Sequence, residues 1–146
     1  MGRAILGVIL GYLAMVVVVV VSFTALQFGL GTEKVFKPAS YEASSMFLAC
    51  AIVISVIAAV IGGLACAAIA RRPKPVLALA IVVLVLGAIN AAMHMNVRAT
   101  EPRLGNISPM EAAQRATQPA WYLWSLPVIG AVGALIGGRL KKPAAV

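Results

Sequence analysis

Of the side chains in this sequence, that of His94 could take part in the most kinds of chemistry. It lies in the stretch Asn90-Ala91-Ala92-Met93-His94-Met95-Asn96. Imidazole and thioether groups both bind copper, and histidine is also a common axial ligand of haem. One interpretation is therefore a tetrapyrrole or copper cofactor held by His94. The chain has one histidine, so a haem with two histidine ligands would have to be shared with a partner. On a helix Met93 and Met95 point about 100° to either side of His94, so these three side chains cannot hold one ion together.

The alternative interpretation of His94 is structural. Helical spacing places Gly87, Asn90, His94 and Arg98 within about 40° of one stripe, so the face that lets a neighbouring helix approach is also polar. We expect the polar stripe of Asn90, His94 and Arg98 to point toward the other helices. His94 and Asn90 would then form hydrogen bonds across helices near the membrane surface. This structural role is favoured over the cofactor.

Other residues of chemical interest do not form a catalytic set. Cys50 and Cys66 are sixteen residues apart in one apolar run, which is about 24 Å along a helix and too far for a disulfide. We interpret them as small apolar side chains. No phosphate-binding glycine loop, metalloprotease helix or serine nucleophile motif occurs in the sequence. No charged residue lies deep in an apolar run, where ion-coupled transporters place such groups. The sequence therefore predicts a protein that is not an enzyme.

Four long apolar segments must position these side chains. Of the 146 residues, 62% are hydrophobic and 11% are charged, and the mean hydropathy is +1.02. A water-soluble domain could not bury that much apolar surface. Each segment reaches the ~20 residues that a helix needs to cross a bilayer, where the backbone must satisfy its own hydrogen bonds. The prediction is an all-α membrane protein, a single domain over 1–146, with transmembrane helices at about 4–30, 44–70, 76–97 and 119–138.

Polar residues and prolines mark the expected helix boundaries. Ser40 is expected to cap the second helix. Pro73 and Pro75 are expected to break the chain between the second and third helices. The run Ser108-Pro109-Met110-Glu111 has a capping-box arrangement, which predicts a short helix at about 109–117. A capped turn inside a solvated loop is an equal alternative there.

Basic residues are concentrated in two segments that contain no acidic residue. These segments are the link between the second and third helices and the C-terminal tail, and they hold Arg71, Arg72, Lys74, Arg139, Lys141 and Lys142. All four acidic residues fall in the other two loops. Because positively charged loops stay on the cytoplasmic side, we predict that these basic residues are cytoplasmic anchors and that both termini are cytoplasmic. A net charge of +8 in short segments suits a lipid surface, and nucleic acid is not an expected partner.

Small residues recur at close-packing spacing in all four predicted helices. They are Gly7 and Gly11 in the first, Ser55, Ala59, Gly63 and Ala67 in the second, Gly87 in the third, and Gly133 and Gly137 in the fourth. Small side chains let helix axes approach and gain dispersion contacts, which matter in lipid because the hydrophobic drive between helices is absent. We interpret these rows of small residues as the helix–helix contacts that hold the bundle together. An oligomer interface is the alternative.

Two segments 68 residues apart resemble each other. The segment from Val60 to Pro75 aligns with the segment from Val128 to Pro143, and six of sixteen positions are identical. Both are expected to run from outside to inside, so the repeat would be parallel and would relate two tandem two-helix hairpins. The alternative is that small residues followed by positive charges end any helix of this orientation.

The chain also resembles the small four-helix inner-membrane proteins of bacteria. The resemblance rests on a glycine-containing helix start, Gly7-Val8-Ile9-Leu10-Gly11-Tyr12, and on a Gly-Gly followed by Ala and Arg, as in Gly62-Gly63 to Ala70-Arg71. It covers most of the length. It implies a multi-pass protein of the bacterial inner membrane and no activity.

Three functional hypotheses follow from the sequence. The first is a non-enzymatic accessory or scaffold subunit of a larger membrane complex, whose partners are the lipid bilayer and other membrane protein subunits. The second is a small channel or passive transporter, for which Ser22, Gln27, Ser55, Asn90 and His94 would have to line one pore. The third is a pigment-, haem- or copper-binding membrane subunit that uses His94.

Overall fold

Four long helices and one short helix make up the described fold. The computed structural model describes residues 2–71, 73–96, 108, 111 and 115–141. The helices are α1 (Gly2–Leu30), α2 (Thr32–Val35), α3 (Ser45–Ala70), α4 (Pro73–His94) and α5 (Ala120–Leu140). The four long helices are apolar and long enough to cross a membrane. The prediction of an all-helical chain with four such helices is confirmed over the described residues.

The ends of the helices follow from local chemistry. Gly31, with φ of 71°, terminates α1, and its N–H donates to the Gln27 carbonyl at 3.0 Å. Arg71 ends α3 in the same left-handed region, with φ of 53°. The Ser44 hydroxyl caps α3 by accepting the N–H of Phe47 at 3.2 Å.

One boundary prediction is wrong and another is confirmed in part. Ser40 does not cap α3. Its hydroxyl instead accepts the N–H of Glu42 at 3.1 Å within the loop, a local turn that serine forms readily. The chain does break between α3 and α4, but Pro73 and Pro75 lie in the first turn of α4, so the third long helix begins at Pro73 and not near residue 76. A proline is tolerated there, since the N–H groups of the first turn have no partner within the helix.

The helices form an up-and-down bundle in which α3 is central. Helix α3 packs along both α1 and α5, and α4 packs chiefly on α5. The start of α1 lies against the end of α3, because Gly7 approaches Ala70. Helix α5 runs parallel to α3, since Tyr122 near its start shares a cluster with Phe47 near the start of α3. Contacts of α4 with α1 and α3 are less extensive.

Two hydrophobic clusters fill the two halves of the bundle. One lies at the end of the bundle that carries residues 31–44 and 115–119, which we name the loop end, and contains Val35, Phe36, Ala43, Phe47, Leu48, Ala51 and Tyr122. The other lies toward the opposite end and contains Met15, Ala59, Cys66, Val76, Leu79 and Ala134. Ala59, Cys66, Leu79 and Ala134 are fully buried. Side chains therefore occupy the bundle axis in both halves.

Candidate functional site

Helices α1 and α3 meet along a seam of small residues. A Cβ atom added to Gly7 would lie 2.9 Å from the Ala70 Cβ. A Cβ atom added to Gly11 would lie 2.8 Å from the Cys66 Cβ and 2.9 Å from the Gly62 carbonyl oxygen. Real side chains do not approach so closely, so the two backbones are nearer than any larger residue would allow.

The seam between α3 and α5 is tighter, because two of its glycines lie closer to the facing backbone. A Cβ added to Gly63 would overlap the main chain of Ala134, and one added to Gly137 would overlap the main chain of Val60. A Cβ on Gly133 would lie 2.5 Å from the Ala59 Cβ. Backbone atoms cannot rotate away as a side chain can, so these glycines set the distance between α3 and α5.

Helix α4 joins the bundle through α5. A Cβ added to Gly87 would lie 2.9 Å from the Pro127 Cγ, and Gly130 and Gly138 of α5 face Val83 and Val76 of α4. Pro127 lies inside α5, where its ring occupies the space that Gly87 leaves open. We did not predict Pro127 as a packing residue, although its place within the fourth apolar run was visible in the sequence.

The predicted packing residues all lie on faces that other helices of the same chain cover. Beyond the glycines above, Ala59 is fully buried, and Ala67 and Ser55 are half-buried. The Ser55 hydroxyl donates to the Ala51 carbonyl at 2.7 Å, so its polar group is used within α3. Gly62, Gly130 and Gly138 also belong to these seams and were absent from the predicted set; their spacing alone did not show which neighbour they face.

The polar stripe of α4 is not covered by the other helices, so the expectation that it packs against them is wrong. Asn90 and His94 are both exposed. The positions that α4 buries are Pro75, Val76, Leu79, Ala80 and Ala91, and Gly87 packs on Pro127 near one edge of this face. Four of these five buried positions lie within residues 73–80, so the later turns of α4, which carry Asn90 and His94, are covered much less by the other helices. Arg98 lies outside the described residues.

The end of α4 carries two methionines and a histidine, and it contacts a tryptophan of α5. The Trp124 indole N–H donates to the Met95 sulfur at 3.1 Å, which links the end of α4 to α5. Met93, His94 and Met95 are all exposed. Among the described residues no group of three or more His, Cys, Asp or Glu side chains is arranged to hold a metal ion.

The residues proposed to line a pore are not gathered along the bundle axis. Ser22 and Gln27 are half-buried on α1, and Ser55 bonds to its own helix. Asn90 and His94 are exposed near the end of α4. A passage inside one chain therefore cannot be lined by all five residues.

The loop end is closed by a network of backbone hydrogen bonds. Phe36 and Ala43 pair as an antiparallel bridge, and Glu42 pairs with Thr117. The Ala43 N–H donates to the Thr117 carbonyl at 3.0 Å, and the Thr117 N–H donates to the Tyr41 carbonyl at 2.9 Å. Two distant loops are thus joined over the hydrophobic cluster.

Side-chain contacts reinforce the loop end. Lys37 and Glu42 form an ion pair at 2.7 Å, and Arg115 lies over the Tyr41 ring with 5.9 Å between the guanidinium carbon and the ring centroid. Arg115 also pairs with Glu111 at 3.4 Å. The Ser108 hydroxyl accepts the Glu111 N–H at 3.2 Å, as the capping arrangement requires. The rest of the predicted helix at 109–117 lies mostly outside the described residues.

The opposite end of the bundle, which we name the basic end, carries only cations as charged side chains among its described residues. These are Arg3, Arg71, Lys74, Arg139 and Lys141, and all are exposed. Arg72 and Lys142 lie outside the residues of which side chains are described. The predicted cytoplasmic anchors whose side chains the structure describes therefore all lie at one end of the bundle.

Comparison with protein-family models, with curated proteins and with solved structures gives no significant match. The fold defines the chain as a helical protein with four helices suited to crossing a membrane. Function is inferred below from the contacts described above.

Proposed function

We propose that this protein is a non-enzymatic scaffold or accessory subunit of a larger membrane complex. The observation that carries the proposal is the closed seam between α3 and α5, where Gly63 and Gly137 each meet backbone of the facing helix. Such contact leaves no space along this seam for a substrate. The surface available for interaction is the outside of the bundle, where large apolar side chains such as Ile57, Leu84 and Ile136 are exposed.

Purification from the native membrane tests this proposal. The full chain, tagged at one terminus and solubilised in a mild detergent, is expected to migrate with other membrane subunits at a mass well above its own 15.1 kDa. A stronger detergent should release the chain from the complex. Mass spectrometry of the intact complex before and after this step identifies the subunits that dissociate. Recovery of a stable lone monomer from native membranes would overturn the proposal.

We further propose that the basic end lies in the cytoplasm and that the membrane is a bacterial inner membrane. Support comes from the uneven charge, because cations that are not offset by acids remain on the cytoplasmic side during insertion. Single cysteines test this orientation after Cys50 and Cys66 have been replaced by alanine. Lys34→Cys should react with an impermeant maleimide from the outside, whereas Arg139→Cys should react only after the membrane is opened. The reverse pattern would contradict the orientation.

We also propose that the two hairpins, α1 with α3 and α4 with α5, arose by duplication. The support is that equivalent positions of the two hairpins form equivalent helix–helix contacts. Gly62 of α3 faces Met15 of α1, and Gly130 of α5 faces Val83 of α4. The second pair is the first pair shifted by 68 residues, the same offset at which the sequences align. A weak sequence repeat and an independent packing register therefore agree.

A soft-metal or pigment-binding role at the end of α4 is a second candidate function. It is favoured by the exposed imidazole of His94, a donor that suits copper or a tetrapyrrole and whose further ligands would come from a partner. Metal analysis and an absorption spectrum of the protein purified from its native membrane test it, with His94→Ala as the comparison. A colourless, metal-free preparation that binds neither added Cu(I) nor added haem would remove this candidate.

A further inference from the structure

The cations of the basic end have no acidic partner in the part of the chain that the structure describes. Three of the four acidic residues, Glu33, Glu42 and Glu111, are described and lie at the loop end, and Glu101 falls in the sequence between α4 and α5. Both described ion pairs, Lys37 with Glu42 and Arg115 with Glu111, are also at the loop end. Among the described residues, no cation of the basic end forms an ion pair with another side chain. Their charge is therefore not met by any described acidic side chain, and a partner could bind it.

Helix packing brings these cations together around one end of the bundle. Gly7 packs against Ala70, so the start of α1 with Arg3 lies beside the end of α3 with Arg71. Gly138 packs against Val76, so the end of α5 with Arg139 lies beside the start of α4 with Lys74. The cations are therefore distributed around the rim.

The start of α4 contributes few backbone donors to this end. Prolines occupy positions 73 and 75 in its first turn and have no N–H group. A helix start usually offers several free N–H groups to an anion, but here two of them are removed. An anion at the basic end would therefore be held by lysine and arginine side chains.

Exposed apolar side chains lie beside these cations on the same helix faces, three residues further into the bundle. Leu6 is three residues from Arg3 on α1 and 52% exposed, Leu77 is three residues from Lys74 on α4 and 54% exposed, and Ile136 is three residues from Arg139 on α5 and 50% exposed. A phospholipid matches this pattern, because its phosphate reaches the cation while its acyl chain covers the apolar surface beside it. A soluble polyanion would leave the apolar surface uncovered.

From this arrangement we propose that the basic end binds the headgroups of anionic phospholipids, in preference to zwitterionic ones. Arg3, Arg71, Lys74, Arg139 and Lys141 supply the charge, and the adjacent faces of α1, α4 and α5 seat the acyl chains. The bound lipids would surround the bundle at this end and fix its depth in the membrane.

Lipid retention tests this inference directly. The full chain is reconstituted in nanodiscs of phosphatidylcholine with phosphatidylglycerol, extracted gently, and the lipids that remain bound are counted by native mass spectrometry. Both leaflets have the same composition, so the result does not depend on orientation. Phosphatidylglycerol should be enriched over its share of the bilayer, and the enrichment should weaken in about 0.5 M salt.

Charge-matched variants separate the basic end from general electrostatics. Arg71→Gln with Arg139→Gln removes two charges at the basic end, and Lys34→Gln with Lys37→Gln removes two at the loop end. The first variant should lose preference for the anionic lipid by about fivefold for each cation, and the second should keep it. Equal loss in both variants would overturn the proposal. Absence of enrichment in the unaltered chain would also overturn it and would favour a soluble acidic partner.

Discussion

At the scale of single residues, the seam glycines differ in what a side chain would meet. Beside Gly130 an added Cβ would meet only the side chain of Val83, whereas beside Gly63 it would meet the main chain of Ala134. A side chain can change rotamer at a modest cost, but a helix backbone moves only if the whole helix moves. Glycines that face the backbone of another helix, such as Gly63, should therefore tolerate substitution least.

Gly63→Ala is therefore expected to destabilise the bundle. The added methyl group would force α3 and α5 apart, and overpacking of this kind costs about 1–3 kcal/mol. The free energy of unfolding is measured by titrating the detergent-solubilised protein with a denaturing detergent. Gly29→Ala is the matched control, since nothing lies within 4 Å of its added Cβ. Equal stability of the two variants would show that the helices accommodate the methyl group.

Ala39→Gly is expected to raise the free energy of unfolding, which is opposite to the effect of Gly63→Ala. Its φ of 54° lies in the left-handed region, which costs a residue with a side chain about 1–2 kcal/mol. Ala39→Gly removes that cost and adds a smaller entropic one, so the free energy of unfolding should rise by about 0.5–1 kcal/mol.

The control for Ala39→Gly is Ala49→Gly, an exposed position within α3. Glycine in a helix interior should lower the free energy of unfolding by about 0.5–1 kcal/mol. The two variants carry the same chemical change, so only the backbone conformation distinguishes them. If both were destabilising, the left-handed conformation of Ala39 would carry no cost.

Single residues also show how far the sequence could predict the packing. The spacing of Gly7 and Gly11, or of Gly133 and Gly137, marked small-residue faces because helical periodicity is a local property. The direction of His94 could not be predicted in the same way. Its exposure depends on how far the neighbouring helices cover the last turns of α4, where only Ala91 is buried, and that coverage rests on contacts such as Gly87 with Pro127, about forty residues away.

At the scale of elements, Ser44 connects the start of α3 to the preceding loop. Its hydroxyl accepts the Phe47 N–H at 3.2 Å and donates to the Lys34 carbonyl at 2.7 Å. One side chain thus caps the helix and holds the end of α2 against it.

Ser44→Ala removes both hydrogen bonds and should lower the free energy of unfolding by about 1–2 kcal/mol. Amide exchange at Phe47 should also become faster, because that N–H loses its acceptor. The neighbouring Ser45→Ala serves as the control, since Ser45 is exposed and forms no described side-chain hydrogen bond. Unchanged exchange at Phe47 in the Ser44 variant would contradict a capping role.

The elements also differ in how readily they were predicted. The long helices were evident from apolar runs, because a segment in lipid must form its hydrogen bonds internally. Helix α2 and the bridges at the loop end were not predicted. Ala43 finds its partner at Thr117, more than seventy residues away, and no local pattern records such a pairing.

At the scale of the whole molecule, two hairpins associate mainly through α3 and α5. Helix α3 belongs to the first hairpin and α5 to the second, and Gly63 and Gly137 bring their backbones into contact. The backbone bonds between Ala43 and Thr117 join the same two hairpins at the loop end. Association of the halves therefore does not depend on the short link at residues 71–73.

The chain divided between Arg72 and Pro73 should consequently reassemble. Helices that are each stable in the bilayer can associate in a second step, driven by the same packing that holds them in the intact protein. Fragments 1–72 and 73–146, co-expressed with a tag on the first, are expected to copurify in mild detergent. Gly63→Leu in the first fragment should abolish copurification, because the larger side chain would meet the Ala134 backbone. Gly29→Leu should leave it intact. Fragments that purify apart, or that stay together despite Gly63→Leu, would mean that the seam between α3 and α5 is not what holds the hairpins together.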